Sequence, residues 1–360
     1  MGLASMRVRV WIAMLLMLAL VDGVVRLVYV PRFLDRASKV AADGLRDTTF
    51  GRNLGLAFAL TERAVATASP SLVLVGDSTI MGKLGTLTGR LAPMIQRDFN
   101  ARPGTARPIT VIELGFLGLT TPDAAVVVAK ALAMPADLVV LAVTPRVLCS
   151  MAAQPTDARR HAMQWDVASR LGVRFLVAQF SLATVAESAL RSHWALLRYQ
   201  HELRVELATA AARWLPPRWR RSVMPVEQGA NLGSEAAPLS GPLWTSARCP
   251  LDDDSPEVIA LRHLLDACAA ERRCFVYGGP INPEGMGSFE PELLPRFRAL
   301  IARLTADRGI PFRDYGDALP ASAFRVPFMG RPDAIHVGES GRPWLAAELA
   351  TQAHALLNAR

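Results

Sequence analysis

At 360 residues the chain can bury a proper core; it is long for one domain and short for two large ones. Hydrophobic residues make up 51% and mean hydropathy is positive, which is high for a purely soluble enzyme and predicts at least one membrane segment. The net charge of +8, carried mostly by arginine, favours anionic partners: phospholipid surfaces, acidic polysaccharide or nucleic acid. No helix-turn-helix, zinc-finger or RNA-binding signature is present, so no nucleic-acid partner is expected. Codon bias toward Ala and Arg also produces such a charge.

Arg7 and Arg9 precede an apolar run from Val10 to Val21; Asp22 and Arg26 interrupt it, and Leu27 to Val30 are apolar again. The first run alone is too short for a hydrocarbon core of ~30 Å, but the stretch to Val30 suffices. Asp22 and Arg26 stand i,i+4 and can pair on one helix face. A cleaved signal peptide, cut near Val21-Asp22-Gly23, is the alternative to an uncleaved anchor. Either is an export signal, so the expected location is the cell membrane, with the catalytic part on the periplasmic or extracytoplasmic side. Residues 1–30 are thus expected as anchor, 31–69 as a polar, partly helical connector, and 70–360 as the catalytic domain.

Leu72 to Val75 is a short β-branched run ending in Gly76-Asp77-Ser78. Ile109 to Leu114 is a second strand, Pro122 to Met134 a helix with proline suited to its first turn, and Asp137 to Val143 a third strand ended by Thr144-Pro145. This alternation predicts βαβ units and a parallel sheet, an α/β fold. From about 151 to 250 the alternation is lost. Helical stretches from Trp165 to Val205 and a Pro/Gly/Ser-rich stretch from Pro225 to Pro250 predict an insertion over the sheet, in the position of a lid. Its basic–aromatic run, Arg213 to Arg221, suits a headgroup interface or a sugar cleft, and equally a surface loop. The pattern resumes with a helix from Pro256 to Ala270, a strand from Cys274 to Tyr277, a helix from Pro291 to Arg308, a last strand from Pro311 to Tyr315 and a closing helix from Pro343 to Leu357.

The four cysteines (149, 249, 268 and 274) form no CxxC or His/Cys cluster, so neither a metal nor another cofactor is expected. In an exported chain they permit disulfides in three connectivities; four buried thiols are the alternative.

Gly76-Asp77-Ser78-Thr79 follows a buried strand where the chain is expected to turn into a helix, which exposes a serine hydroxyl and favours negative charge. An ordinary helix cap accounts for the same residues. Asp333-Ala334-Ile335-His336 supplies what a serine needs: a base, and a carboxylate to orient it. The other five histidines lie on helical or polar stretches without such a partner.

Together these motifs resemble the SGNH (GDSL-type) hydrolase superfamily, over about residues 70–148 and 274–357. The resemblance implies a three-layer, flavodoxin-like sandwich around a central parallel sheet, a Ser78–Asp333–His336 triad, and an oxyanion hole from the backbone N–H groups of Ser78 and Gly118, the latter in Glu113 to Thr121. The family's third block, Gly-x-Asn-Asp, is replaced by Val143-Thr144-Pro145-Arg146, so its asparagine donor is missing. One lost donor costs about 2.7–4 kcal/mol, which predicts a poor general esterase. A similar departure marks a membrane-anchored branch that includes the D-alanyl transfer protein of teichoic-acid modification and polysaccharide O-acetylation proteins. Pro280-Ile281-Asn282-Pro283 and His336-Val337-Gly338 resemble that branch. It implies an acylated envelope carbohydrate as donor or acceptor, the inner membrane as surface and a multispanning membrane acyltransferase as partner. Asp77, Arg146 and Asn282 are the candidate substrate contacts. A non-catalytic binding or assembly protein of the same fold is the contrasting reading.

Overall fold

The structure is a computed structural model that describes residues 3–42, 54–68, 70–80, 90–105, 107–116, 119–149, 167, 170–180, 182–214, 241–324 and 332–359. Helix α1 (Leu3–Val24), a π-helical segment (Val25–Tyr29) and α2 (Val30–Ala42) form one continuous helical run. Its Val8–Arg36 portion is long and apolar enough to cross a membrane, and Trp11, Leu16, Leu20 and Leu27 lie exposed along it. Helix α3 (Leu54–Thr67) falls in the stretch read as connector, yet buries Phe58 and Val65 in the main core.

Strand β1 (Ser71–Gly76), α4 (Leu91–Asn100), β2 (Thr110–Gly115), α5 (Thr121–Ala133) and β3 (Leu138–Val143) follow. The insertion contributes α6 (Val173–Gln179), α7 (Leu182–His193), α8 (Ala195–Arg198) and α9 (Gln200–Trp214). Then come α10 (Pro256–Glu271), β4 (Cys274–Gly278), α11 (Leu293–Ala306), β5 (Phe312–Asp314) and α12 (Arg342–Asn358). The five strands are all parallel, in the order β2-β1-β3-β4-β5.

Strand periodicity divides the core into two layers. Val73, Val75, Val139, Leu141 and Val276 face α3, α5, α10 and α11, whereas Leu72, Leu74, Val140 and Phe275 face α4 and α12. The sandwich therefore has the three layers implied by the superfamily resemblance. β1 and β3, covered on both sides, are buried throughout, which is why they read as unbroken apolar runs. Local chemistry fixes the helix ends. Ser255 caps α10 by accepting from the Val258 N–H, with Pro256 in the first turn. Arg273 donates to the carbonyls of Leu132, Met134 and Ala136, satisfying the open C-terminal end of α5.

The described part of the insertion does two jobs. Val167, Leu171, Phe175, Leu176 and Phe180 extend the sheet's core. Helices α7 to α9 instead grip the N-terminal helical run. Asp22 pairs with Arg26 at 3.2 Å and accepts from the Leu196 N–H at 2.7 Å, while Arg26 also donates to the His193 carbonyl. Phe33 meets Tyr199 edge-on, and Arg36 pairs with Glu206 at 2.6 Å. Arg213 and Trp214 are exposed at the end of α9, and residues 215–221 of the basic–aromatic run lie outside the described residues.

Cys149, just past β3, is bonded to Cys249 at the far end of the insertion; Cys268 and Cys274 are buried thiols. Alkylation of the unfolded, unreduced protein should therefore modify Cys268 and Cys274 only, with a Cys149–Cys249 peptide recovered on digestion. Four reactive thiols, or another pairing, would contradict this connectivity.

Candidate active site

In a parallel sheet of this order the chain leaves β1 toward β2 on one side and returns to β3 on the other, which opens a crevice at the carboxyl ends of β1 and β3. Ser78 stands in that crevice. Gly76 lets β1 end there: a Cβ on it would lie 2.9 Å from both Ala142 Cβ and Ile80 Cγ2. Residues 78–80 form a turn closed by Ile80 N–H donating to the Asp77 carbonyl, and the helix expected to follow would run into residues 81–89, which lie outside the described residues.

Ser78 Oγ is 2.9 Å from His336 Nε2, although 258 positions separate them. His336 Nδ1 is 2.9 Å from each Asp333 carboxylate oxygen. Asp333 Oδ1 also accepts the backbone N–H groups of Ile335 and His336, so the carboxylate sets both the loop and the ring. Because Nδ1 faces a carboxylate, its proton sits there, and Nε2 presents its lone pair to the Ser78 hydroxyl. Burial pushes the Asp333 pKa up, but the hydrogen bond and charge of His336 and the two backbone donors outweigh it and hold the carboxyl below its ordinary range.

Two of the candidate substrate contacts are committed to the protein. Asp77, 1% exposed, accepts from the Thr79 N–H at 2.9 Å, Thr79 Oγ1 at 2.6 Å and Thr144 Oγ1 at 3.0 Å, which ties the end of β1 to the end of β3. Asn282, past β4, donates from Nδ2 to the Asp333 carbonyl at 2.8 Å and accepts from the Glu284 N–H at 3.0 Å, while its own N–H reaches the Ala334 carbonyl. Both side chains hold turns of the site rather than project toward a ligand. Gly285 belongs to the same brace, since a Cβ there would lie 2.6 Å from Ala334 Cα. Arg146 behaves differently: its Nη1 donates to Ser78 Oγ at 3.0 Å. Gly118 lies outside the described residues.

Sequence reading missed Thr144, since a lone threonine at a strand end carries no signal. It also passed over Glu113 on β2, whose carboxyl is pushed up to about 7 by burial against the opposing charges of Arg90 and Arg342. Among the described residues no His/Cys/Asp/Glu group could hold a metal ion.

No family model and no curated protein matches the chain. Solved structures similar to it include the lipase/acylhydrolase from Enterococcus faecalis, with TM-score 0.42 and 13% identity over 79% of this chain and 96% of that one. Another is a carbohydrate acetylesterase family member from Sinorhizobium meliloti, with TM-score 0.37 and 13% identity over 80% of this chain and 99% of that one.

Asn282→Ala should remove the donor to the Asp333 carbonyl and leave that buried oxygen unpaired. A stability loss of roughly 1–3 kcal/mol in a denaturant titration is expected. An unchanged unfolding midpoint would mean that the Asp333 loop holds its position without this brace.

Proposed function

We propose that the chain is an SGNH-type serine enzyme that cleaves or transfers acyl esters, held at the membrane by its N-terminal helix. The observation that carries this reading is the unbroken relay from Ser78 Oγ through His336 to the Asp333 carboxylate at the sheet's carboxyl edge. In the first half-reaction Ser78 Oγ attacks the acyl carbonyl carbon while its proton passes to His336 Nε2. The tetrahedral oxyanion then collapses, the ester C–O bond breaks, and His336 returns the proton to the departing alcohol oxygen. Water or an acceptor hydroxyl attacks the acyl-serine in the second half, giving its proton to the same Nε2. The second tetrahedral oxyanion collapses, the bond between the acyl carbon and Ser78 Oγ breaks, and His336 returns the proton to Ser78 Oγ. Asp333 stabilises the imidazolium at both stages. Hydrolysis and transfer differ only in which hydroxyl reaches the acyl-serine.

The substrate we infer is an acylated cell-envelope polysaccharide, met on the periplasmic side and served in concert with a multispanning membrane acyltransferase. Support comes from the short motifs shared with the membrane-anchored branch and from the apolar N-terminal helix.

Ser78→Ala and His336→Ala should each lower acyl release from p-nitrophenyl acetate by on the order of 10⁴ or more, and Asp333→Asn should lower it strongly in a folded protein. Wild-type turnover by Ser78→Ala would falsify the assignment.

Topology is open to an independent test. An alkaline phosphatase fused to the C-terminus should be active in cells, and the full-length protein should pellet with membranes. A soluble protein whose fusion works only in the cytoplasm would remove both the anchor and the export.

A further inference from the structure

We propose that Arg146 is a catalytic residue: its guanidinium first polarises the Ser78 hydroxyl and then serves as the third oxyanion donor, in place of the asparagine that this chain lacks. The proposal rests on the serine-enzyme reading above and assigns a role within that site.

Among the described residues Ser78 Oγ has two polar neighbours at hydrogen-bond distance, His336 Nε2 at 2.9 Å and Arg146 Nη1 at 3.0 Å. A guanidinium can only donate, and it stays protonated at any working pH. The hydroxyl proton is therefore directed at Nε2, and the oxygen's lone pair receives the Arg146 N–H. The two contacts act in one direction: the imidazole draws the proton away, and the cation faces the negative charge that this leaves on Oγ.

Among the described residues no carboxylate is ion-paired with Arg146, so its charge is not neutralised by an Asp or Glu there. Among the described residues its other N–H groups have no hydrogen-bond partner, which leaves them to meet an incoming acyl group. Once Oγ has bonded to the carbonyl carbon, Oγ and the oxyanion are carried by the same tetrahedral atom. A fork seated on the first oxygen lies beside the second, and charge transfer from one to the other keeps it within the guanidinium's reach. Lysine's point charge lacks this two-pronged geometry.

The backbone carries Arg146 rigidly to this place. It sits in a 3₁₀ turn, Pro145–Leu148, directly after β3. Thr121 Oγ1 donates to the Val147 carbonyl at 2.6 Å, Thr144 is bonded to Asp77, and Cys149 is linked to Cys249. Three separate ties hold the few residues around one arginine, which faces the nucleophile across the β1–β3 crevice.

The test uses the full-length protein, p-nitrophenyl acetate and a fluorophosphonate probe, with thermal unfolding followed for every variant. Arg146→Met should lose about 10²–10³ in kcat and in the rate of Ser78 labelling, with KM little changed. Arg146→Lys should retain an intermediate rate. Guanidinium chloride at low, non-denaturing concentration should restore part of the activity of Arg146→Ala, and sodium chloride of equal ionic strength should not. If Arg146→Met turns over within about threefold of wild type while Ser78→Ala is dead, the role of Arg146 fails and the triad stands. If Arg146→Lys is as inactive as Arg146→Met and guanidinium restores nothing, the arginine is only structural and the proposal is overturned. If Ser78→Ala itself retains wild-type turnover, the serine-enzyme reading fails first.

Discussion

One buried carboxylate decides whether this site exists. Asp77 receives a backbone N–H and a hydroxyl from Thr79 on its own turn and a hydroxyl from Thr144 on the turn after β3. The β1–β3 ladder ends at the Val75–Leu141 pair, so the two loops beyond it are joined by side chains. Asp77 supplies that closure. Ser78 and Arg146 are each within two residues of one of its contacts, so their 3.0 Å approach depends on a hydrogen-bond network that neither of them makes. Buried networks of this kind are stiff because every unpaired member is costly in a low-dielectric interior.

The other half of the site is held by a different device. The Asp333–His336 loop arrives from the C-terminal end of the chain, and its carboxylate turns back onto the loop's own N–H groups. Asn282 and Gly285 form the wall behind it: one provides a donor to the Asp333 carbonyl, the other the absence of a side chain. Gly338 repeats the second solution on the far side, where a Cβ would lie 2.9 Å from the Phe324 carbonyl oxygen. The base is therefore positioned by the segment after β4, through Asn282 and Gly285, and the nucleophile by side-chain bonds between the loops that follow β1 and β3. Among the described residues the two halves are joined by the hydrogen bond between Ser78 Oγ and His336 Nε2.

Much of the architecture was legible because it rests on local pattern. Strands buried on both faces must be apolar throughout, and the runs at Leu72, Asp137 and Cys274 give strands whose ends lie within a residue of the reading. Helices α10 and α12 announce themselves through proline in the first turn. Helix α3 lies in the stretch read as a polar, partly helical connector, and its Phe58 is fully buried because α3 packs on the sheet, a contact that the local sequence does not record. The pairing of Ser78 with His336 could be inferred, since the chemistry of a weak nucleophile demands a base. Nothing comparable demanded that Arg146 touch Ser78 from 68 residues away, or that Asn282 reach Asp333 across 51. Those contacts come from where a sheet order brings loop ends together, and a short motif carries no record of that.

The Cys149–Cys249 bond gives the insertion a distinct status. It joins positions 100 apart, so the chain leaves the sheet and re-enters it through a covalently closed ring. In the chain-entropy picture a ring of this length restricts the unfolded chain by about 4–5 kcal/mol, though the partition between entropy and enthalpy depends on the model. The topological effect is independent of that figure. Loosening inside the ring cannot draw apart its two anchor points, one of which borders the turn bearing Arg146. The segment that grips the N-terminal helix thus belongs to a covalently closed loop whose start adjoins the turn bearing Arg146.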